Sequence, residues 1–148
     1  MRTLLDTNIL LRSSQVSSPH HVIAIAAVAA LLGAGRSLCI SSQVIYEFLA
    51  VATKPVTENG LGMSQADADG QLAKLLGGIE VLYDSEPVAT ELRRLVVTYK
   101  MTGKRVHDTR LVAAMTVFGV QELLTFNVDD FKRFSRIQVV SPAAMPIL

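Results

Sequence analysis

The sequence lacks the features that mark secreted or membrane-spanning proteins. Its only cysteine, Cys39, cannot form a disulfide within the chain, and its apolar neighbours predict a buried structural thiol. The longest apolar stretch covers only residues 22–32, and a helix that spans a bilayer needs about 20 apolar residues. At the N-terminus, Asp6 interrupts a very short apolar run, so we expect no secretory segment. These absences predict a cytoplasmic protein that does not contact a membrane.

Aromatic residues are also scarce. Tryptophan is absent and aromatic residues make up 5% of the 148-residue chain, so the interior must consist mainly of Leu, Val, Ile and Ala. Because 50% of the residues are hydrophobic and only 18% are charged, the composition excludes a disordered chain. We find no internal repeat, low-complexity tract or linker. The length and the uniform composition predict a single domain over residues 1–148.

Two common kinds of binding site are missing as well. No His and Cys residues occur at the spacing of a zinc site, and no glycine-rich phosphate loop of either usual kind is present. His20 and His21 precede an alanine-rich segment, and we expect both on the surface. The net charge is only +1, so the charge of the whole molecule does not by itself indicate a nucleic-acid-binding protein.

The sequence does contain short apolar runs that alternate with longer segments of helical period. The apolar runs predict five strands, at residues 2–5, 37–41, 79–83, 121–125 and 137–140. Strands that alternate with helices indicate right-handed crossovers and a parallel sheet covered on both faces. We therefore predict an α/β fold, and the order of the strands in the sheet stays open.

Capping and helix-breaking residues predict where the helices begin and end. A first short helix is expected from Asn8. Ser42 and Ser64 are the predicted N-caps of two later helices, and further helices are expected to begin at Pro19, Pro87, Asp108 and Asp130. Glycines at positions 33 and 35 and at positions 77 and 78 should end the helices that start at Pro19 and Ser64. The segment 55–62 reads as a loop.

Acidic residues are placed where such a fold would gather them. Asp6 follows the first predicted strand, Glu47 lies in the helix after the second, and Asp108 follows a basic loop. Asn127 and Asp130 follow a later strand. Because the carboxyl ends of parallel strands lie at one edge of a sheet, loops and helix starts converge there. The pattern predicts that these side chains meet at this edge.

Each acid also has a purely structural explanation when it is taken alone. Asp6 and Asp108 are both good helix N-caps. Glu47 could face water on an amphipathic helix. Asp129 and Asp130 could supply negative charge to the first turn of a short helix. The joint occurrence of these acids favours a shared site.

A cluster of carboxylates suits a hard divalent cation. Neighbouring carboxylates repel one another, so without compensation the pKa of one of them rises and it takes up a proton. Mg²⁺ and Mn²⁺ prefer oxygen ligands and bind through a few carboxylates together with substrate phosphate. Such ions can activate a water molecule and stabilise the leaving oxygen of a phosphodiester. The cluster therefore points to metal-dependent phosphodiester chemistry.

At four places the sequence resembles a known family, the PIN-domain ribonucleases, and it looks most similar to the VapC-type toxins of toxin–antitoxin pairs. The resemblance covers nearly the whole chain, with the motifs in the family's order. The matching segments are residues 4–10 (LLDTNIL), 42–48 (SQVIYEF), 107–114 (HDTRLVAA) and 124–131 (LTFNVDDF). The resemblance implies a three-layer α/β/α sandwich with a central parallel sheet of four to five strands.

The resemblance also implies roles for particular residues. Asp6, Glu47 and Asp108 would bind Mg²⁺ or Mn²⁺, and Thr125 would orient the site. Thr7 or Asn8 would support the first carboxylate.

The fourth acid of the family pattern is where this chain departs from it. Asn127 stands where many members have Asp, and an amide ligates Mg²⁺ less strongly than a carboxylate does. This departure puts a second metal ion in doubt. Asp130, as in other members, or the neighbouring Asp129 would compensate.

The activity implied is that of an endoribonuclease in which a metal-activated water hydrolyses RNA and leaves a 5′-phosphate. The family further implies a homodimer and a small antitoxin that inhibits the enzyme with a basic side chain.

Six of the 14 Lys and Arg residues lie within residues 93–110, just before and around Asp108. Arg105 and Arg110 are the candidates for contacts with RNA phosphates, which would make binding sensitive to salt. For His107, a hydrogen-bonding, packing or phosphate-binding role is expected before that of a general base.

Two other functions compete with this interpretation. The first is a PIN-like module that binds RNA or protein without cleaving, which the amide at Asn127 motivates. The second is a phosphatase that forms an aspartyl-phosphate, suggested by Asp6 after the first strand. Such enzymes usually carry a second Asp two residues later, where this chain has Asn8, so the second alternative is disfavoured.

Overall fold

The computed structural model describes residues 1–145, and its centre is a five-stranded, fully parallel sheet with the strand order β3-β2-β1-β4-β5. The strands are β1 (Arg2–Leu5), β2 (Ser37–Ser41), β3 (Glu80–Leu82), β4 (Glu122–Leu124) and β5 (Gln138–Val140). Helices flank the sheet in an α/β/α sandwich, which confirms the predicted fold class.

Seven α-helices and two 3₁₀ turns connect the strands of the described part of the chain. The α-helices are α1 (Thr7–Ser14), α2 (His21–Gly33), α3 (Ser42–Thr53), α4 (Gln65–Leu75), α5 (Glu86–Tyr99), α6 (Arg105–Phe118) and α7 (Val128–Phe131). The 3₁₀ turns are Val56–Glu58, inside the predicted loop, and Pro142–Ala144. None of the helices in residues 1–145 combines the length and the apolar character needed to cross a bilayer.

The core forms around β1, the central strand. Leu4 and Leu5 are at most 1% exposed, and β1 pairs with β2 on one side and with β4 on the other. Cys39 on β2 is fully buried, as predicted for a structural thiol. The small side chains of Ala24 and Ala27 on α2 are also buried, which lets this helix pack closely on its neighbours.

Helices α1, α2 and α5 begin one or two residues from their predicted starts, and the starts of α3, α6 and α7 also differ from the prediction. Ser42 is already helical and Ser41 is the N-cap residue of α3. Asp108 is not an N-cap, because α6 begins at Arg105 and Asp108 lies in its first turn. No helix-breaking residue stands between Gly103 and Asp108, so the helix extends back to the turn at Gly103, whose φ of 57° favours glycine. The short helix predicted from Asp130 is α7, which begins earlier.

The parallel register brings the residues that follow β1 and β4 together. Leu5 is paired with Leu124, so Asp6 and Thr125 are neighbours just beyond the ends of the two strands. The backbone N–H of Asp6 donates to the carbonyl oxygen of Leu124 at 3.0 Å. Helix α3 begins directly after β2, next to β1 in the sheet. One edge of the sheet thus collects the chain segments that carry the predicted acids.

Candidate active site

Asp6 is buried at the centre of the candidate site, with 7% of its surface exposed. Its Oδ1 accepts a hydrogen bond from the backbone N–H of Thr7 at 2.7 Å, which caps α1. Its Oδ2 accepts from the Thr125 hydroxyl at 2.6 Å and from the Asn8 amide at 2.9 Å. Asp6 is therefore a helix cap with one carboxylate oxygen and has a second oxygen held by neutral side chains.

Burial raises the pKa of Asp6 from 3.8 to about 6. The hydrogen bonds from Thr125 and Thr7 lower this pKa, and repulsion from Glu47 and Asp108 raises it again. A nearby cation stabilises the charged form of a buried carboxylate that is repelled by two further carboxylates. The electrostatics of Asp6 therefore favour a bound cation.

Glu47 is half-buried on α3, and neutral donors hold both of its carboxylate oxygens. The Thr7 hydroxyl donates to Oε2 at 2.6 Å, and the Gln43 amide donates to Oε1 at 2.6 Å. The pattern of α3 alone would allow Glu47 to face water, but its carboxylate instead contacts Thr7 and Gln43. Thr7 contacts both acids, since its N–H reaches Asp6 and its hydroxyl reaches Glu47.

Asp108 is half-buried in the first turn of α6. Its pKa is raised, first by burial and then by repulsion from Asp130 and Glu47, while His107 and Lys104 lower it. Asp108 is thus electrostatically linked to the carboxylate on α3 and to the one on α7. This raised pKa, like that of Asp6, reflects an excess of negative charge.

The acids share one cavity of about 330 Å³ at the carboxyl edge of the sheet. Its lining combines acids, amides and small apolar side chains: Asp6, Thr7, Asn8, Leu11, Glu47, Ala50, Val51, Asp108 and Asn127. Asn127 also lines an adjoining open cavity of about 570 Å³, which contains Asp129 and Asp130. The structure therefore brings Asp6, Glu47 and Asp108 together in one cavity, and it places Asp130 in the adjoining cavity.

The donor set fits a hydrated hard cation better than a closed metal cage. In the described residues, no three His, Cys, Asp or Glu side chains lie close enough to enclose an ion in this conformation. Over the same residues, no Lys or Arg forms an ion pair with any acid that lines the cavity. Mg²⁺ usually keeps several waters and binds through one or two carboxylates, which a water-accessible cavity of this kind permits.

Asn8 and Thr125 connect the site to the loop after β4. The Asn8 amide nitrogen lies 3.2 Å from the Thr125 hydroxyl, and its oxygen accepts from the backbone N–H of Phe126 at 3.3 Å. The Thr125 hydroxyl also accepts from the backbone N–H of Asn127 at 3.0 Å. Both residues therefore fix Asp6 relative to the segment that carries Asn127.

The two arginines predicted to contact phosphate lie in different surroundings. Arg105 is exposed at the start of α6, close to Asp108 along the helix. Arg110 forms an ion pair with Asp84 and lines a separate cavity near the start of α5. The structure does not bring Arg110 into the acidic cavity. His107 is exposed, and its side chain does not line that cavity.

Sequence reasoning assigned no role to Gln43, although it is buried and touches Glu47. The available signal was a glutamine four residues before the acid, since positions four apart lie on one face of a helix. Its second contact, to the carbonyl oxygen of His107, joins residues 64 positions apart. No local pattern in the sequence could have revealed that contact.

Comparison with known proteins identifies the family. Residues 3–137 match the family described as PIN domain. A comparison with curated proteins gave no significant match.

Several solved structures have a similar fold at low sequence identity. VapBC2 from Rickettsia felis, bound to a DNA fragment from its promoter, has a TM-score of 0.71 and 18% identity over 95% of this chain and 98% of that chain. VapBC-1 from nontypeable Haemophilus influenzae has a TM-score of 0.70 and 22% identity over 97% and 99%. Mycobacterium tuberculosis VapC20, a toxin that cleaves the sarcin–ricin loop, has a TM-score of 0.65 and 15% identity over 86% and 92%. With the family match over residues 3–137, the chain belongs to the PIN domain family.

Proposed function

We propose that this protein is a divalent-metal-dependent endoribonuclease and the toxin of a VapBC-type toxin–antitoxin pair. The observation that carries the proposal is the convergence of Asp6, Glu47 and Asp108 on one cavity, where none of them forms an ion pair with a Lys or Arg of residues 1–145. Membership of the PIN domain family and the fold shared with VapBC toxins support it.

Asp6, Glu47 and Asp108 would hold Mg²⁺ or Mn²⁺, and Asn127 or Asp130 would complete the site from the adjoining cavity. A bound ion of this kind supplies a water nucleophile at neutral pH and offsets charge on a phosphodiester. The protein contributes orientation: Thr125 and Asn8 fix the Asp6 carboxylate, and Thr7 fixes that of Glu47. Hydrolysis of RNA would leave a 5′-phosphate.

The substrate is proposed to be RNA that enters along the open cavity beside Asn127. That cavity has room for a nucleotide, and exposed Arg105 lies at the start of the helix that carries Asp108. VapC20, which shares the fold, is a toxin that cleaves the sarcin–ricin loop. Arg110 is a weaker candidate for a phosphate contact because Asp84 already neutralises it.

The proposed partners are a small antitoxin protein and a second copy of this chain. The antitoxin is supported by structural neighbours that are VapBC complexes. A basic side chain of the antitoxin would enter the acidic cavity and neutralise its carboxylates. Light scattering of the isolated protein at micromolar concentration tests the homodimer, and a mass equal to one chain would contradict it.

The activity is tested with purified protein and a panel of fluorescently labelled RNAs. We expect cleavage in Mg²⁺ or Mn²⁺ and none in EDTA or with Asp6→Asn. Asp69→Asn is the matched control, because Asp69 is an exposed acid on α4 outside the site. Equal cleavage by the unchanged protein and Asp6→Asn would indicate a contaminating nuclease and would overturn the proposal.

A second candidate is a module that binds RNA or protein without cleaving it. The observation that favours it is Asn127, an amide that lines the cavity where a carboxylate would bind a second ion more strongly. This alternative predicts metal-dependent RNA binding with intact RNA after long incubation. Restoring the acid with Asn127→Asp would then be expected to produce cleavage.

A further inference from the structure

Gln43 occupies an unusual position between the helices that carry two of the acids. It lies in the first turn of α3 and is only 3% exposed. Its Nε2 donates to Oε1 of Glu47 at 2.6 Å and to the carbonyl oxygen of His107 at 2.9 Å. His107 directly precedes Asp108 on α6. One amide nitrogen therefore connects the Glu47 carboxylate with the backbone next to the Asp108 carboxylate.

The two acceptors fix the orientation of the Gln43 amide. Rotating the amide by half a turn would place its oxygen against two other oxygens, so the NH₂ group must face Glu47 and His107. The amide oxygen is then buried without a hydrogen-bond partner in the described part of the chain. Because an unsatisfied buried acceptor costs stability, packing alone does not explain a glutamine here.

The neutral charge of Gln43 matters for a site that must attract a cation. A Lys or Arg at this position would hold Glu47 equally well, but it would neutralise the carboxylate and compete with a metal ion. An amide donates a hydrogen bond and leaves the negative charge of Glu47 in place. The Thr7 hydroxyl holds the other oxygen of Glu47 in the same neutral way.

We propose that Gln43 is a positioning residue that fixes Glu47 and the start of α6 in the relative placement needed for both acids to serve one divalent ion. The inference rests on the proposed metal-dependent function, and it adds a residue that acts through Glu47 and the α6 backbone. Partners that orient metal ligands commonly contribute 10- to 100-fold to metal affinity or activity. Loss of the Gln43 amide is therefore expected to weaken Mn²⁺ binding by about tenfold or more.

The test measures Mn²⁺ affinity by electron paramagnetic resonance of the free ion, which does not depend on turnover. Gln43→Met keeps the approximate shape of the side chain and removes its hydrogen bonds. Gln71→Met is the matched control, because Gln71 on α4 bonds to Ser14 away from the cavity. We expect weaker Mn²⁺ binding and a lower kcat with unchanged KM for RNA in Gln43→Met, and neither change in Gln71→Met.

A double-mutant cycle separates positioning from a general structural effect. If Gln43 acts through Glu47, Gln43→Met should weaken Mn²⁺ binding much less in a Glu47→Gln background than in the unchanged protein. If circular dichroism shows that Gln43→Met does not fold, Gln43→Asn takes its place, since its shorter amide cannot reach both acceptors.

The failure of this inference can be told apart from that of the proposed function. Equal Mn²⁺ affinity in the unchanged protein and the folded Gln43 variant overturns the inference alone. The same loss of affinity with and without Glu47 also overturns it. An unchanged protein that binds no Mn²⁺ overturns the metal-dependent function, and the inference with it.

Discussion

The carboxylates of this chain differ in what neutralises them. Away from the cavity, acids form ion pairs with cationic side chains: Glu80 with Arg2, Asp84 with Arg110, Glu91 with Arg94, and Glu122 with Arg36. Within the cavity, Asp6 and Glu47 instead receive hydrogen bonds from hydroxyl, amide and backbone N–H groups. Neutral donors fix the position of an acid and preserve its charge. This difference is what makes the cavity suitable for a cation.

The pKa of Asp6 should set a pH limit for the proposed metal binding. Burial raises this pKa to about 6, so below that pH Asp6 is mostly protonated and must release a proton when a cation binds. We expect Mn²⁺ affinity to be about tenfold lower at pH 5 than at pH 7.5, measured by titration with Mn²⁺. An affinity that does not change over this range would show that Asp6 does not bind the ion.

The Thr125 hydroxyl should lower the pH at which Asp6 becomes able to bind a cation. Its hydrogen bond to Asp6 lowers the pKa of the acid, so Thr125→Val should raise this pKa and move the pH midpoint of Mn²⁺ binding upward. The variant should also lose about 1–3 kcal/mol of unfolding free energy, since buried polar groups lose a partner. Thr116→Val is the control, because the Thr116 hydroxyl donates to the backbone carbonyl oxygen of Val112 on α6 and does not contact the acids. An identical midpoint in the two variants would contradict the role of Thr125.

Among the secondary-structure elements, strands were easier to predict than helix starts. Strands β1 and β2 have the predicted bounds, because buried strands of a parallel sheet are apolar runs with clear polar boundaries. Asp108 looked like an N-cap because capping residues and first-turn acids are the same residue types. Only the backbone shows that Asp108 lies inside α6, where its carboxylate reaches the cavity.

The packing of α2 gives a prediction for one element. Ala27 is 1% exposed, whereas Ala29 on the same helix is exposed. Ala27→Leu should cost about 1–3 kcal/mol of unfolding free energy, because added methylene groups do not fit a close-packed interface. Ala29→Leu should change the unfolding free energy by less than about 0.5 kcal/mol, as measured by urea denaturation. Equal effects of the two substitutions would show that α2 does not pack as described.

For the whole molecule, the fold class followed from the sequence but the arrangement of the strands did not. Alternating strands and helices predict a parallel sheet, yet nothing in the local sequence pairs β4 with β1. That pairing brings Thr125 to Asp6 across 119 positions. The three acids that line the cavity, Asp6, Glu47 and Asp108, could be predicted from motifs. Gln43 could not, since its role depends on how α3 and α6 meet in space.

The charge distribution of the molecule predicts how RNA binding should respond to salt. With a net charge of +1, affinity for the proposed RNA substrate would come from local cations. Exposed Arg105 lies at the start of α6, in the same first turn as Asp108, while Arg110 is paired with Asp84. Arg105→Gln should weaken RNA binding uniformly and reduce the slope of log K against log salt by about 1. Arg110→Gln should change that slope less. The reverse order, measured by fluorescence anisotropy, would place the RNA on the Arg110 side.

Binding of a cation should stabilise the whole fold, with an effect that depends on pH. The folded-state pKa of Asp6, about 6, lies above its ordinary value of 3.8, so its contribution to stability is present below pH 3.8 and is lost as the pH rises through about 6.

A divalent ion at 100 times its Kd would raise the free energy of unfolding by about 2.7 kcal/mol. For a domain of this size that corresponds to a rise in Tm of about 5–10 °C. Differential scanning fluorimetry should show this rise with Mn²⁺ at pH 7.5, about half of it with the same Mn²⁺ concentration at pH 5, and little in Asp6→Asn. Because unspecific binding to surface acids would stabilise Asp6→Asn equally, an equal rise in that variant would locate the ion outside the cavity.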